Sequence, residues 1–173
     1  MHRRQLIMLA IAGAMVGFAT QAVRTEEHND PALIKAMGDA KVTLQQGLAA
    51  AAAKGQPISA KFEIEDGKLQ LSVYTAKDGK FSEVIVDHVT GKVTKSEDIT
   101  GGEDLAAAKT QSAAMAKTKL DLETAVEKAV AQAGGVGSAR PVSVFPGVKA
   151  GHAVANVTLI VGQQFKTIDQ PID

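Results

Sequence analysis

Three of the four histidines and a few acids are the residues of this chain with chemistry to offer. His28 lies among Glu26, Glu27 and Asp30, His88 is next to Asp87, and His152 opens a run containing Asn156. A metal site needs three or four ligands converging from fixed positions. The first group is the best acidic cluster, but it falls in a loose polar stretch and reads as a solvated charge run. The other two histidines stand alone; His88 is a polar turn residue and His152 faces away from Ala153. Nucleophilic catalysis fares no better. The chain has no cysteine and no G-x-S-x-G, and Gly137-Ser138 follows a helix end rather than a strand. Gly134-Gly135-x-Gly137 runs from helix to strand, the reverse of a phosphate loop. Glu63, Glu65 and Asp66 read as the wet side and turn of a hairpin. These patterns point away from an enzyme and call for no cofactor or metal.

Composition narrows the remaining classes. With 45 % apolar and 22 % charged residues in 173, the chain is neither disordered nor basic enough for nucleic acid. Aromatic residues make up 3 % and tryptophan is absent, which excludes an aromatic platform for sugars or bases. The N-terminus carries Arg3 and Arg4, an uncharged apolar run from Leu6 to Ala19, and small residues ending at Ala22. This is the pattern of a cleaved export signal over 1–22, too short for a stable membrane anchor, and it predicts a periplasmic or secreted product. Removing it leaves 17 basic and 19 acidic residues, a formal charge of −2. Without cysteine, the fold must be held by its core.

The elements that position these residues centre on Ile58–Val93. Phe62 and Ile64, then Leu69, Leu71 and Val73, alternate with polar residues, and Asp66-Gly67 and Asp78-Gly79 supply the left-handed backbone of tight hairpins. Phe81–Val86 is apolar on both parities, as a strand covered on both sides would be, and Asp87–Val93 turns into a short fourth strand. Asp87, Thr90 and Gly91 are turn chemistry. Asp30-Pro31 caps a short helix within 23–41. Thr43 and Gln46 form a capping box for a helix that covers the meander.

After a polar boundary, a connecting helix fills 96–118, acidic at its start and lysine-rich at its end. Leu122, Ala125, Val126, Ala129 and Val130 then stripe a helix capped by Asp121, followed by strands at 138–145, 151–161 and 165–168. Pro141 and Pro146 predict a short edge strand for the first of these. Leu44, Leu48 and Ala51 recur as Leu122, Val126 and Ala129 at an offset of 78, and Leu69, Leu71, Val73 and Phe81 as Ala153, Ala155, Val157 and Phe165 at an offset of 84. The expected fold is α+β: a tandem of helix-plus-meander units at 42–95 and 119–173, each with its own small three- to four-stranded antiparallel sheet.

Thr43-Leu44, Lys68–Val73 and above all Phe81–Val93, FSEVIVDHVTGKV, resemble the PepSY domain over 42–93. A weaker second copy is recognised at 119–169, without an equivalent of Asp87 or Thr90-Gly91. The resemblance implies a module of secreted proteins, of propeptides of thermolysin-like metalloproteases, and of membrane-bound reductases and sensors, with protein-binding or peptidase-inhibiting roles. It brings no catalytic set to carry over.

Three functions follow from this reading. The first is a non-enzymatic module that binds a protein or peptide, such as a peptidase inhibitor or regulator, through an exposed sheet edge with Phe62, Val142, Val144 and Phe145 as the interaction surface. The second is a small-ligand or metal sensor or carrier with an enclosed pocket at His88 or His152. The third is a structural envelope protein. Oligomeric state is left open.

Overall fold

The computed structural model describes residues 30–173; residues 1–22, expected to be an export signal, and Glu26, Glu27 and His28 lie outside the described residues. Asp30 accepts the Ala32 N–H at 2.8 Å and starts α1 (Pro31–Ala36), which a 3-10 turn continues over Met37–Asp39. Thr43 and Gln46 form the reciprocal capping box of α2 (Leu44–Ala51). Four strands follow, β1 (Gln56–Glu65), β2 (Lys68–Lys77), β3 (Lys80–Val86) and β4 (Val93–Asp98). The chain then forms α3 (Gly102–Met115), α4 (Leu122–Gln132), β5 (Ala139–Lys149), β6 (His152–Val161) and β7 (Gln164–Pro171).

The strands make one antiparallel sheet in the order β4-β3-β2-β1-β5-β6-β7. The expectation of two separate small sheets is corrected here: the two meanders meet edge to edge through β1 and β5. Only Ala60↔Val144 and Lys61↔Ser143 are in register across that seam. β5 is not a short edge strand but an eleven-residue central one. Its prolines explain the brevity of the seam. Pro141 and Pro146 bracket Val142–Phe145, and a residue without an N–H cannot extend the ladder past either end.

Register fixes what each face carries. Ala60, Val73, Val84 and Val144 form one row, and Phe62, Leu71 and Val86 another, on the face covered by α2 and α4. Leu44, Leu48 and Ala51 of α2 and Leu122, Val126 and Ala129 of α4 are all buried against it. Gly47 makes the α2 contact possible, because a Cβ there would lie 2.5 Å from Leu71 Cδ2. Lys61, Ser72, Ile85, Ser143 and Thr158 share the opposite face. On that face lies α3, whose only buried side chains are Ala108, Ala114 and Met115. The core is therefore one continuous cluster extending across the seam.

The C-terminus closes the structure. Ile172 is fully buried, its carbonyl accepts the N–H groups of Lys119 and Leu120, and its own N–H donates to Ala153 at 3.0 Å. Among the described residues no helix is long and apolar enough to cross a membrane.

Candidate functional site

The hairpin dipeptides act on the backbone alone. Asp66 and Gly67 have φ of 49° and 75°, and Asp78 and Gly79 have 51° and 75°, the paired left-handed conformation of a two-residue hairpin turn. The Asp87 turn is more elaborate. Its Oδ1 accepts from the N–H groups of Val89 and Thr90, at 3.1 and 2.6 Å, and from Thr90 Oγ1 at 2.8 Å. These bonds, with Thr90's contribution the largest, hold the Asp87 carboxyl below its ordinary range. Gly91 closes the turn at φ 72° by donating its N–H to the Asp87 carbonyl. The His88 carbonyl accepts from Lys41 and Val42, so this turn docks the segment that enters α2.

The four residues expected at an interaction surface divide sharply. Phe62, Val142 and Val144 are 1 %, 0 % and 0 % exposed. Their strands use each other's edges at the seam, so these three side chains fill the core and present nothing to a partner. Phe145 is half-buried on the other face. There it lines a cavity of about 130 Å³ between the sheet and α3, with Lys61, Tyr74, Asp104, Ala107, Ala108 and Gln111. Sequence reasoning missed Tyr74, the single tyrosine of the chain, because its place opposite Glu83 on β3 emerges only from register.

The polar groups around this cavity are ordered. Buried Ser59 donates to Gln111 Oε1 at 2.7 Å and ties α3 to the seam. Lys61 Nζ lies 2.5 Å from Glu63 and 5.9 Å from the centroid of the Tyr74 ring. Glu63 also accepts from Ser72 Oγ at 2.9 Å. Burial first, then the charges of Glu83, Glu63 and Asp104, push the Tyr74 hydroxyl well above its ordinary range. This tyrosine stays protonated.

A wider groove of about 340 Å³ runs between Leu48, Pro57, Met115 and the turn from Thr118 to Glu123. Its acids have local explanations. Asp121 caps α4 by accepting the Thr124 N–H at 2.7 Å, and burial, then Asp121 and Glu127, raise Glu123. Neither histidine expected at a ligand pocket lines either cavity. His152 Nδ1 pairs with Asp173 at 2.7 Å on the surface, and His88 stays in its turn. Among the described residues no three His, Asp or Glu side chains converge as metal ligands.

The sheet ends at two free edges, β4 and β7. β4 is six residues long, its register with β3 shifts between Ile85 and Val86, and Lys95 and Glu97 pair on it at 2.8 Å. β7 is longer and regular, with eight consecutive pairs from Val161↔Gln164 to Val154↔Pro171. The strand, turn and capped helix that surround Asp87 fall within one recognisable module. Residues 41–97 match PepSY, the peptidase propeptide and YPEB domain. The PepSY segment thus runs from the residues docked on His88 through α2 and β1–β3 to Glu97 in β4, about a third of the chain. No curated protein and no solved structure matches the chain.

Proposed function

We propose that this chain is an exported, periplasmic, non-enzymatic module that binds a peptidase by accepting one of its extended segments along β7. In this reading residues 1–22 are the cleaved signal, and 119–169 is a divergent second PepSY copy fused to the first through β1 and β5. The choice of a peptidase comes from the description of the matched family, which names peptidase propeptides.

The observation that carries the binding mode is the β7 edge. In an antiparallel strand, alternate residues turn both N–H and C=O away from the neighbour. An unbulged eight-residue edge with only Lys166 and Asp169 charged is a template for an added strand. β4 is defended by its length, its bulge and its charges, and β1 and β5 are consumed by each other.

A pair of proline variants tests the mode. Thr167 and Ile168 are adjacent, so one turns its N–H outward and the other inward. Proline at the outward position leaves the β6 ladder intact and removes a bond from any added strand; proline at the inward position unfolds the edge. Capture from a periplasmic extract should enrich a peptidase on the wild-type chain and lose it on the variant that keeps the wild-type Tm. Equal capture by that variant contradicts the β7 mode, and capture of no peptidase contradicts the choice of partner.

A further inference from the structure

The hydrogen-bonding direction along β7 is fixed at its end. Ile172 donates its N–H to Ala153 of β6 at 3.0 Å, and the pairing from Val154↔Pro171 back to Val161↔Gln164 has no bulge. Alternation then turns Lys166, Ile168 and Gln170 toward β6, and Phe165, Thr167 and Asp169 outward. Pro171 falls in the outward set, where its missing N–H costs the ladder nothing.

A second copy of the same edge satisfies the outward groups. In an antiparallel pair centred on Ile168, Thr167 of one copy stands opposite Asp169 of the other, and Phe165 opposite Pro171, so each outward N–H of β7 meets a carbonyl. Half-buried Ile168 meets its own counterpart in a non-hydrogen-bonded pair, the closer of the two spacings, on the face that carries α2 and α4. No charge meets its like. Lys166 lies opposite Gln170, and Asp169, already held by Lys149 and Asn156, lies opposite the Thr167 hydroxyl. The neighbouring register, centred on Thr167, sets Phe165 against Asp169 and Lys166 against Ile168.

We propose that two copies of the chain pair through β7 about Ile168, forming one continuous antiparallel sheet. A two-fold pair of this kind closes on itself. The far edge, β4, is short, shifted in register and charged, so the sheet does not grow from there. Self-pairing does not rest on the peptidase reading; it adds to that reading a resting form, which the peptidase segment must displace from the same edge.

Cross-linking in this cysteine-free chain tests both the partner and the register. In the 23–173 protein, Ile168→Cys should give a disulfide-linked dimer on mild oxidation, because a non-hydrogen-bonded pair sets its two Cα atoms about 4.5 Å apart. Thr167→Cys should cross-link far more slowly, and Val148→Cys, exposed on β5, should not cross-link. Sedimentation of the wild-type chain should pass from monomer to dimer between micromolar and millimolar concentration, with the Phe165, Thr167 and Asp169 amides gaining protection over the same range. Ile168→Lys, which opposes two like charges, should raise the dissociation constant about ten-fold or more. A wild-type chain still monomeric at millimolar concentration, a dimer that Ile168→Lys leaves intact, or Thr167→Cys cross-linking as fast as Ile168→Cys would each overturn the proposal. A monomer that captures a peptidase leaves the β7 reading standing, and a dimer that captures none removes only the peptidase.

Discussion

Lys61 on β1 stands directly opposite Ser143 on β5, and together with Ala60 and Val144 this is the whole register that joins the two meanders into one sheet. Packing across the seam must therefore supply what few hydrogen bonds can. α2 touches α4 on one face, and α3 bridges β1 and β5 on the other.

Phe62 and Phe145 separate core from surface. Phe62→Ala removes a fully buried ring and should cost about 3–5 kcal/mol. Phe145→Ala, which opens a cavity already in contact with solvent, should cost less than half as much. Urea denaturation of the two variants measures the difference.

Gly47 offers a test of close packing. Alanine is the better helix former by about 1 kcal/mol. Even so, Gly47→Ala should destabilise the chain by about 1–2 kcal/mol, because the new Cβ meets fully buried Leu71 at 2.5 Å and overpacking outweighs propensity. In a Leu71→Ala background the same change should become neutral or stabilising. A double-mutant cycle by chemical denaturation reads this coupling.

Much of this was legible in the residues. The capping box at Thr43, the Asp121 cap, both Asp-Gly turns and the apolar stripe of α4 are local signals, and local chemistry decides them. Pro141 and Pro146 suggest a short edge strand, yet β5 pairs with β6 at ten positions and meets β1 at two, because proline cannot say whether a strand lies at an edge or crosses a seam. The union of the meanders depends on β1 and β5 meeting 82 residues apart at Lys61 and Ser143, a separation that no periodicity reports. From sequence alone Phe62 and Val144 therefore fit an open edge, whereas both are buried at the seam. The Tyr74 cavity was hidden in the same way, since α3 reveals its resting place only through Ser59 and Gln111.

The Asp87 turn makes a pH-dependent contribution. Its folded pKa is depressed, so the stabilisation is present above the ordinary carboxylate range and is lost as pH falls through the folded value. Asp87→Ala should lower Tm at pH 7, and the gap to wild type should close progressively below about pH 4. Melting curves across that range give the result.

Ile172 should act as a clasp. Ile172→Ala should cost about 2–5 kcal/mol, whereas Ile168→Ala, at a half-exposed position of β7, should cost clearly less. Comparing their denaturation midpoints tests the role of the last residues in holding the Lys119–Leu120 turn.

The binding reading rests on a single sheet whose inner edges are spent and whose outer edge is free, and backbone hydrogen exchange measures this directly. In dilute solution, amides of β1 and β5 directed into the seam should exchange only with near-global unfolding, while the outward-facing amides of β7, every second one along the strand, exchange as fast as a solvated edge allows. If the seam-facing amides of β1 and β5 exchange as fast as the outward-facing amides of β7, the meanders are separate sheets and the account fails.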